Sequence, residues 1–443
     1  MPLRMEIAMP AMRCLAAALL TSACWIHGAA AGTVWTVPGM APNLQLAVNV
    51  ASPGDVILVA PGTYTEVVQV DGKGIAIVAD GNPALTASLA TLEVRNIPAG
   101  QTFLLDGFLL DLPDVFLGPD IPFVAEDNLG SLRLQDCTFR GDPGYQGQGQ
   151  LGAWPGTVAA QVRDSASVTF HHCTFEGGDG ASLFDEDIDF TATDGGHGLQ
   201  VISSTVDLHD SFARGGVAGS FYDTVGSTGR SGGSAVHASG TSVVQVHGST
   251  LIGGHGGAAD CDFFGCGDGG PGGSGVLLAG TSHGSVRDNT YQPGTGGPAG
   301  GFGALDGSDG QAVLVSTPGG TLAEFSATYR GFDVPSPVRE GAAAVLTFTG
   351  EPGDSLLLFG SLASNHIALP GHQGSFLVGF PLLLSGITLG SIPAAGTMQL
   401  LVPITDLGAG IEALPLSLQP AFVDMNGAWL GPVEMPVLLD GSL

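Results

Sequence analysis

Short runs of alternating hydrophobic and polar residues return along residues 131–331 at a nearly constant spacing. The runs are SLRLQDCTFRGD from Ser131, SVTFHHCTFEGG from Ser167, TVDLHDSFARGG from Thr205, SVVQVHGSTLIGG from Ser242 and GSVRDNTYQPG from Gly284. The equivalent positions, separated by 36, 38, 38 and 40 residues, are Phe139, Phe175, Ala213, Leu251 and Tyr291. An elastic period with a fixed hydrophobic phase predicts a solenoid, and the period-two alternation predicts that its strands are β-strands.

One copy shows how a coil of this solenoid is built. In SVTFHHCTFEGG the alternation slips by one residue at His172, which predicts a tight corner between two strands. A second hydrophobic run opens each copy, so three strands per coil are expected, with a glycine-rich loop at the long corner. Val168, Phe170 and Phe175 should be buried, and Val168 and Phe170 should lie beside Val206 and Leu208 of the next coil.

Histidine recurs at one outward-facing position of this repeat. His171, His209 and His247 are each 38 residues apart, which predicts an exposed column of imidazoles along the solenoid. Stacking of equivalent positions explains such a column without a function, and metal binding is the alternative.

The start of the solenoid is predicted from residues 34–78. Val34–Val37 is expected to form a strand, and residues 42–51 to form an amphipathic helix with Leu44, Ala47 and Val48 on one face. Three further strands should follow before residue 79, and residues 113–128 should form an acidic, proline-broken loop. Because an open solenoid end invites aggregation, the helix is predicted to cover it.

This opening carries a family resemblance. LQLAVNVASPGDVILVAPGTYTE from Leu44, followed by GKGIAIVADG from Gly72, resembles the first coil of secreted right-handed parallel β-helix proteins of the pectate-lyase-like superfamily. The helix and the PGD and PGTY turns are the specific parts, and later coils match only in pattern. The resemblance implies an all-β right-handed parallel β-helix with an N-terminal capping helix. That fold hosts lyases, hydrolases, adhesins and structural proteins, so it implies no single activity.

The composition changes after Gly331. Pro335 and Pro337 suggest a linker, and the strand-like runs that follow, separated by turn residues, predict a C-terminal antiparallel β-sandwich. Residues 355–405 contain no Asp, Glu, Lys or Arg, but Pro381 and Pro393 interrupt them, so no membrane span is predicted. The expected domains are a β-helix over residues 32–334 and a sandwich over residues 338–443.

The first 31 residues have the features of a secretory signal peptide. Arg4 and Arg13 precede an apolar run, and Ala29 and Ala31 provide a cleavage site before Gly32. A lipoprotein cut before Cys24 is the weaker alternative. An extracellular or cell-surface location is therefore expected.

The charge balance limits the partners. The formal net charge is −29, and Lys73 is the single lysine. Such a surface repels nucleic acid and anionic lipid, and an anionic polysaccharide would need divalent cations as bridges.

Four cysteines lie outside the predicted signal peptide. Cys261 and Cys266, in CDFFGC, are predicted to form a disulfide, which suits an oxidising compartment. Cys137 and Cys173 share one phase in adjacent coils, so a disulfide and two buried free thiols are equally compatible with their spacing.

Candidate chemistry is sparse. The acidic loop DEDIDFTATD holds Asp185, Glu186, Asp187 and Asp189, whose oxygens are typical Ca²⁺ ligands, although solvated surface acidity is the simpler interpretation. Asp260, Asp262 and Asp268 in a later loop have the same two interpretations. The weak catalytic candidates are Asp187, His197 and Arg214. His197 lies in a GHG element that resembles one in polygalacturonase-type hydrolases, but Ser234 and Ser274 occupy the same repeat position.

Two functional hypotheses follow. The first is a secreted or surface-exposed β-helix protein with a non-catalytic binding or structural role in a carbohydrate-rich setting. The alternative is a Ca²⁺-assisted polysaccharide lyase or a glycoside hydrolase that acts along the loops of residues 177–275. An enzyme needs a groove where acid and base groups converge, whereas glycine loops that lie flat argue against one.

Overall fold

The structure, a computed structural model, describes residues 32–81, 87–111, 120–145, 154–182, 192–220, 228–261, 266–301, 303–316, 319–368 and 374–443. The predicted signal peptide lies outside these residues. Strands are numbered β1 to β36 along the chain, and the single helix of the described residues is α1.

Three columns of parallel strands form the N-terminal part of the chain. The first column contains β1 (Val34–Val37), β2 (Val56–Val59), β4 (Ala76–Ala79), β6 (Thr102–Asp106), β9 (Ser131–Gln135), β12 (Ser167–His171), β15 (Thr205–His209), β18 (Val243–His247), β21 (His283–Arg287) and β24 (Thr321–Phe325). The second contains β7 (Phe108–Asp111), β10 (Thr138–Arg140), β13 (Thr174–Glu176), β16 (Phe212–Arg214), β19 (Thr250–Ile252) and β22 (Thr290–Gln292). The third contains β8 (Phe123–Glu126), β11 (Ala160–Arg163), β14 (Leu199–Ile202), β17 (Val236–Ser239), β20 (Val276–Leu278) and β23 (Val313–Val315).

The three columns confirm the predicted parallel β-helix with three strands per coil. Val168 pairs with Val206 and Phe170 with Leu208, as expected. Val168, Phe170 and Phe175 are at most 1% exposed, which confirms the inward face.

The predicted corner at His172 recurs in every coil of this region. The residue after the first-column strand has a left-handed backbone, at Asp136, His172, Asp210, Gly248 and Asp288. Aspartate and glycine tolerate this conformation better than most residues. The residue after each corner bonds to its equivalent in the next coil. Ser211 Oγ accepts a hydrogen bond from Cys173 N (3.0 Å), and Ser249 Oγ accepts one from Ser211 N (3.2 Å). Each corner is therefore fixed by the coil beside it.

Helix α1 (Leu44–Val50) covers the first coil. The side chain of Asn43 accepts a hydrogen bond from Leu46 N, an N-cap, and Leu44, Ala47 and Val48 are buried against the core as predicted. Two longer strands, β3 (Gly62–Asp71) and β5 (Ala87–Arg95), pair with each other. Because β5 also pairs with β7 and β8, it joins the second and third columns into one sheet. The prediction of a loop over residues 113–128 was wrong at Phe123–Glu126, which forms strand β8.

The C-terminal part contains shorter sheets. Its strands are β25 (Gly331–Asp333), β26 (Val338–Arg339), β27 (Ala343–Thr349), β28 (Ser355–Ser361), β29 (Ser364–Ala368), β30 (Ser375–Val378), β31 (Leu384–Ser391), β32 (Thr397–Pro403), β33 (Ala413–Pro415), β34 (Ser417–Asp424), β35 (Gly427–Leu430) and β36 (Val437–Leu439). All their pairings are antiparallel except that of β26 with β36. This confirms the sandwich class, while the domain boundaries at residues 334 and 338 stay predictions. No helix of the described residues is long and apolar enough to cross a membrane.

The C-terminal part packs along the outer face of the first column. Val56, Val78 and Leu104 share an apolar cluster with Val437 and Leu439. Farther along, Arg133 Nη2 donates hydrogen bonds to the carbonyl oxygens of Asn365 and Leu377. The sandwich therefore covers the side of the β-helix, parallel to its axis.

The cysteines resolve into two classes. Cys261 and Cys266 form the predicted disulfide. Cys137 and Cys173 are free and buried, so their shared phase places two thiols in the core and no bridge. Burial raises the pKa of the Cys137 thiol, which keeps it protonated.

Candidate functional site: the glycine loop wall

The loops between the second and third columns stack into one continuous layer, which we call the loop wall (described residues of 141–159, 177–198, 215–235, 253–275 and 293–312). Their glycines form a line of backbone hydrogen bonds along the solenoid axis. The line runs from Gly178 N to Thr157 O and continues upward through Gly196, Gly216, Gly233, Gly254, Gly273, Gly294 and Gly310, each N–H donating to the preceding carbonyl at 2.8–2.9 Å. We call this line the axial ladder.

Each loop has two limbs, one that leaves the second column and one that returns to the third, and the axial ladder passes through them alternately. Gly216 and Gly254 belong to limbs that leave the second column, whereas Gly196 and Gly233 belong to limbs that return to the third. These limbs are neither helix nor strand, and their ladder glycines avoid the left-handed region.

Close approach explains why the ladder needs glycine. A Cβ atom on Gly254 would lie 1.8 Å from the carbonyl oxygen of Gly216, and one on Gly216 would lie 1.9 Å from that of Gly178. No real side chain tolerates such distances, so adjacent limbs pack at a spacing that only glycine permits. The glycines of the ladder therefore provide close packing and not flexibility.

Loop carboxylates bind the backbone of the next coil. Asp179 Oδ1 accepts a hydrogen bond from Val217 N (2.8 Å), Asp194 Oδ1 from Ser231 N (2.8 Å) and Asp268 Oδ1 from Leu305 N (2.7 Å). Asp260 Oδ1 instead accepts a hydrogen bond from the next residue of its own loop, Cys261 N (2.7 Å). The three carboxylates that bind the next coil help to hold the wall together, which accounts for part of the acidity that the sequence suggested for Ca²⁺.

The structure does not describe the principal Ca²⁺ candidates. Asp185, Glu186, Asp187 and Asp189 fall outside the described residues, as does Asp262. The Ca²⁺ site and the catalytic role of Asp187 therefore stay predictions.

His197 is half-buried in the wall, and both of its ring nitrogens are engaged. Nδ1 accepts a hydrogen bond from Ser234 N (3.0 Å), and Nε2 lies 2.9 Å from His237 Nδ1. Since Nδ1 accepts, Nε2 carries the proton and donates it to His237. Burial, and then the neighbouring His237, lower the pKa of His197 to about 3. A neutral imidazole with its lone pair already used is a poor general base.

Arg214, the other catalytic candidate, ends β16 on the outer face. Its strand position pairs with Glu176, but Glu176 Oε2 instead accepts a hydrogen bond from Arg140 Nε (2.9 Å). Among the described residues Arg214 forms no ion pair, and no measured contact joins its side chain to His197. The two described candidates are not assembled into an acid–base pair.

The pKa of His197 predicts an acid-sensitive contribution to stability. The folded state keeps His197 neutral while the unfolded chain protonates it near pH 6.5, so stability is complete above that pH and falls toward pH 3. Between pH 7 and pH 5 the loss should reach about 2 kcal/mol. The control is His197→Asn, because Asn Oδ1 can replace Nδ1 as the acceptor. In urea unfolding, the free energy of unfolding of this variant should fall by about 2 kcal/mol less between pH 7 and pH 5. Equal losses of stability in both proteins would contradict the neutral state of His197.

The histidine column does not lie on an exposed surface. His171, His209 and His247 point outward from the coil but are only 1%, 4% and 2% exposed, because the C-terminal part covers them. Glu434 contacts His171, and the rings of His209 and Tyr329 are 6.3 Å apart. Burial lowers the pKa of His209 to about 4, so it is neutral at pH 7. The prediction of exposure was wrong, since the repeat pattern carries no information about which face the sandwich covers.

An open cleft of about 520 Å³ lies at the far end of the β-helix, and the sequence did not indicate it. Its charged lining residues are Arg287, Asp288 and Glu324. The guanidinium of Arg287 lies 4.6 Å above the Trp429 ring, and Asp288 Oδ2 accepts a hydrogen bond from Tyr329 N (2.8 Å). The Arg287 contact therefore joins this coil to the C-terminal part, and the Asp288 bond holds the segment that leads into it.

Comparisons with known proteins leave the chain unclassified. No protein-family model matches it, and neither does any curated protein. Among solved structures, an Escherichia coli protein, YbhC, is 13% identical over 59% of this chain and 72% of its own, with a TM-score of 0.25. The pectate lyase Pel9A is 12% identical over 66% of this chain and 80% of its own, with a TM-score of 0.27. Likenesses at these TM-scores carry no argument about function, so the parallel β-helix described above rests on the chain's own strand pairing.

Proposed function

We propose that this chain is an exported β-helix protein that contacts a carbohydrate polymer through its loop wall without cleaving it. The observation that supports this most is the axial ladder, because it fixes the glycine loops as a stacked layer. A layer of this kind offers an extended surface in place of a groove. The predicted signal peptide and the Cys261–Cys266 disulfide support export.

The state of the acidic and basic groups supports a non-catalytic role. Hydrolysis needs two carboxyl groups about 5–10 Å apart that are free to act on the sugar, and lyase chemistry needs a base beside an acidified proton. In the described part of the wall, Asp179, Asp194 and Asp268 are bound to backbone N–H groups. Both ring nitrogens of His197 are engaged, by Ser234 N and by His237 Nδ1, and Arg214 forms no ion pair within the described part of the chain.

The repeat itself supports a polymeric ligand. Successive coils place equivalent groups about 4.8 Å apart along the axis, so a chain of repeating units can make the same contact many times. The net charge of −29 favours a neutral polysaccharide, or an anionic one bridged by divalent cations.

A polysaccharide panel tests the proposal. The purified protein is incubated with xylan, pectin and alginate, each with and without millimolar Ca²⁺. We expect binding to at least one polymer, seen as co-sedimentation with insoluble xylan or as slower migration in native gels that contain pectin or alginate, and no release of reducing or unsaturated ends. The Ca²⁺ arm also tests the acidic loop. If Asp185 and Asp187 bind Ca²⁺, millimolar Ca²⁺ should raise the melting temperature, and replacing both residues should abolish this rise.

Matched variants separate the two hypotheses. Arg214→Ala removes the lyase candidate, and Arg140→Ala removes an arginine at the equivalent strand position two coils earlier. Sugar-end release that is lost in Arg214→Ala or in an Asp187 variant, but kept in Arg140→Ala, would establish the enzyme. Absence of both cleavage and binding across the panel would contradict carbohydrate binding.

A further inference from the structure

Three side chains that commonly bind metals meet where the C-terminal part contacts the β-helix. One ligand atom from each of His171, His172 and Glu434 lies within 4.8 Å of the others. His171 ends β12, His172 is the corner residue after it, and Glu434 lies shortly before β36. None of the three belongs to the loop wall.

The corner geometry brings the two histidines to the same side. Successive residues of a strand normally face opposite ways. The left-handed backbone of His172 (φ 51°) interrupts this alternation, and the two rings stack with centroids 3.9 Å apart. The equivalent corners carry Asp136, Asp210, Gly248 and Asp288, so within the described corners the pair of imidazoles occurs only in the coil that faces Glu434.

The buried members of this cluster lack hydrogen bonds. His171 and Glu434 are each 1% exposed. The two ring nitrogens of His171 form no hydrogen bond, and neither does Oε1 of Glu434. His171 Nδ1 and Glu434 Oε1 are nevertheless in contact. Buried polar atoms are rarely left without partners, because each one costs about 1–3 kcal/mol. A cation bound between the two groups would satisfy a neutral imidazole nitrogen and a carboxylate oxygen together.

The surroundings favour positive charge and leave a route from solvent. His172 Nε2 lies 3.2 Å from Asp210, and its Nδ1 lies 3.7 Å from Asp136 and 3.9 Å from Asp333. These three carboxyl groups are about half exposed. A metal ion can therefore reach the imidazoles from the open side of the corner, with Glu434 behind them.

We propose that His171, His172 and Glu434 bind one Zn²⁺ ion, which ties the C-terminal part to the side of the β-helix. Two imidazole nitrogens and one carboxylate oxygen are a common zinc ligand set, with the fourth position open to water or to a nearby aspartate. Tetrahedral coordination requires the ligand atoms to be about 3.3 Å apart, so side-chain movements of about 1 Å complete the site. The plain alternative is a direct His171–Glu434 hydrogen bond without metal.

Zinc titration distinguishes these possibilities. Untagged protein, stripped with a chelator and dialysed, is titrated with Zn²⁺ against a chromophoric chelator, and its melting temperature is followed. We expect one equivalent of zinc and a higher melting temperature, with no comparable effect from Ca²⁺ in the same concentration range. Co²⁺ in place of zinc should give the visible absorption of a tetrahedral site.

Two ligand variants and one matched control complete the test. His172→Asn suits the left-handed corner and removes one ligand, and Glu434→Gln removes another. Each should weaken zinc binding at least about tenfold. Asp288→Asn, at the same corner of another coil, should bind zinc like the unchanged protein. Substoichiometric binding, or unchanged affinity in a folded His172→Asn variant, would overturn the zinc site in favour of the direct hydrogen bond.

Discussion

Replacement of Phe170 by aspartate is expected to destabilise the protein by about 4 kcal/mol or more. Phe170 is fully buried, and its ring lies 5.0 Å from that of Phe175 and 6.1 Å from that of Phe139, edge to face in both cases. The substitution removes these aromatic contacts and places an unpaired carboxylate in the core of the coil. Chemical denaturation monitored by circular dichroism should show a much lower midpoint.

Thr174→Asp is the matched control for this change. Thr174 lies on the outer face of β13, partly exposed, between Thr138 and Phe212 of the neighbouring coils. Its replacement introduces the same carboxylate within one coil of Phe170 but leaves it in water, so a change of less than about 1 kcal/mol is expected. If Phe170→Asp unfolds no earlier than Thr174→Asp, the inward face of the β-helix is assigned incorrectly.

Gly254→Ala is expected to destabilise the loop wall by about 3 kcal/mol. The added Cβ would lie 1.8 Å from the carbonyl oxygen of Gly216, so adjacent limbs must separate. That movement breaks the bonds from Gly254 N to Gly233 O and from Gly273 N to Gly254 O. Hydrogen exchange followed by mass spectrometry should show faster exchange across this part of the wall, beside a lower melting temperature.

Gly62→Ala provides the comparison. Gly62 also lies in the β-helix and does not adopt a left-handed backbone, but a Cβ there would meet its nearest atom, in Tyr64, at an ordinary 3.7 Å. We expect a change within about 0.5 kcal/mol for this exposed position. Equal stability and equal exchange in the two variants would show that the glycine limbs are loosely arranged in solution.

The axial ladder also bears on function. A flexible glycine loop can close over a substrate, whereas a limb bonded on both sides has little freedom to move. The wall therefore suits recognition of an extended surface better than chemistry that depends on loop closure. The zinc site proposed at His171, His172 and Glu434 is independent of this surface, and its failure would leave the carbohydrate proposal untouched.

The sequence contains a signal for the axial ladder that an analysis of hydrophobic positions does not detect. Glycine doublets occur at 177–178, 195–196, 215–216, 232–233, 253–254 and 272–273, alternately on the outgoing and returning limbs. Reading each loop alone suggests flexibility, because glycine has the most backbone freedom. Comparing doublets between loops suggests stacking, because the same residue returns at the same height in every coil.

The sequence by itself determined the β-helix of this protein, its capping helix, its inward side chains and its loop disulfide. Each depends on short-range spacing or on the in-register repeat, so Phe170 beside Leu208 and Leu44 on a buried helix face follow from spacing, as does the bridge between Cys261 and Cys266. Only the tertiary structure decided which outer face the C-terminal part covers. That contact joins residues that no period relates, such as His171 with Glu434 and Arg133 with Leu377. It converted an expected surface column of histidines into a buried one, because burial there depends on a partner surface folded from a distant part of the chain.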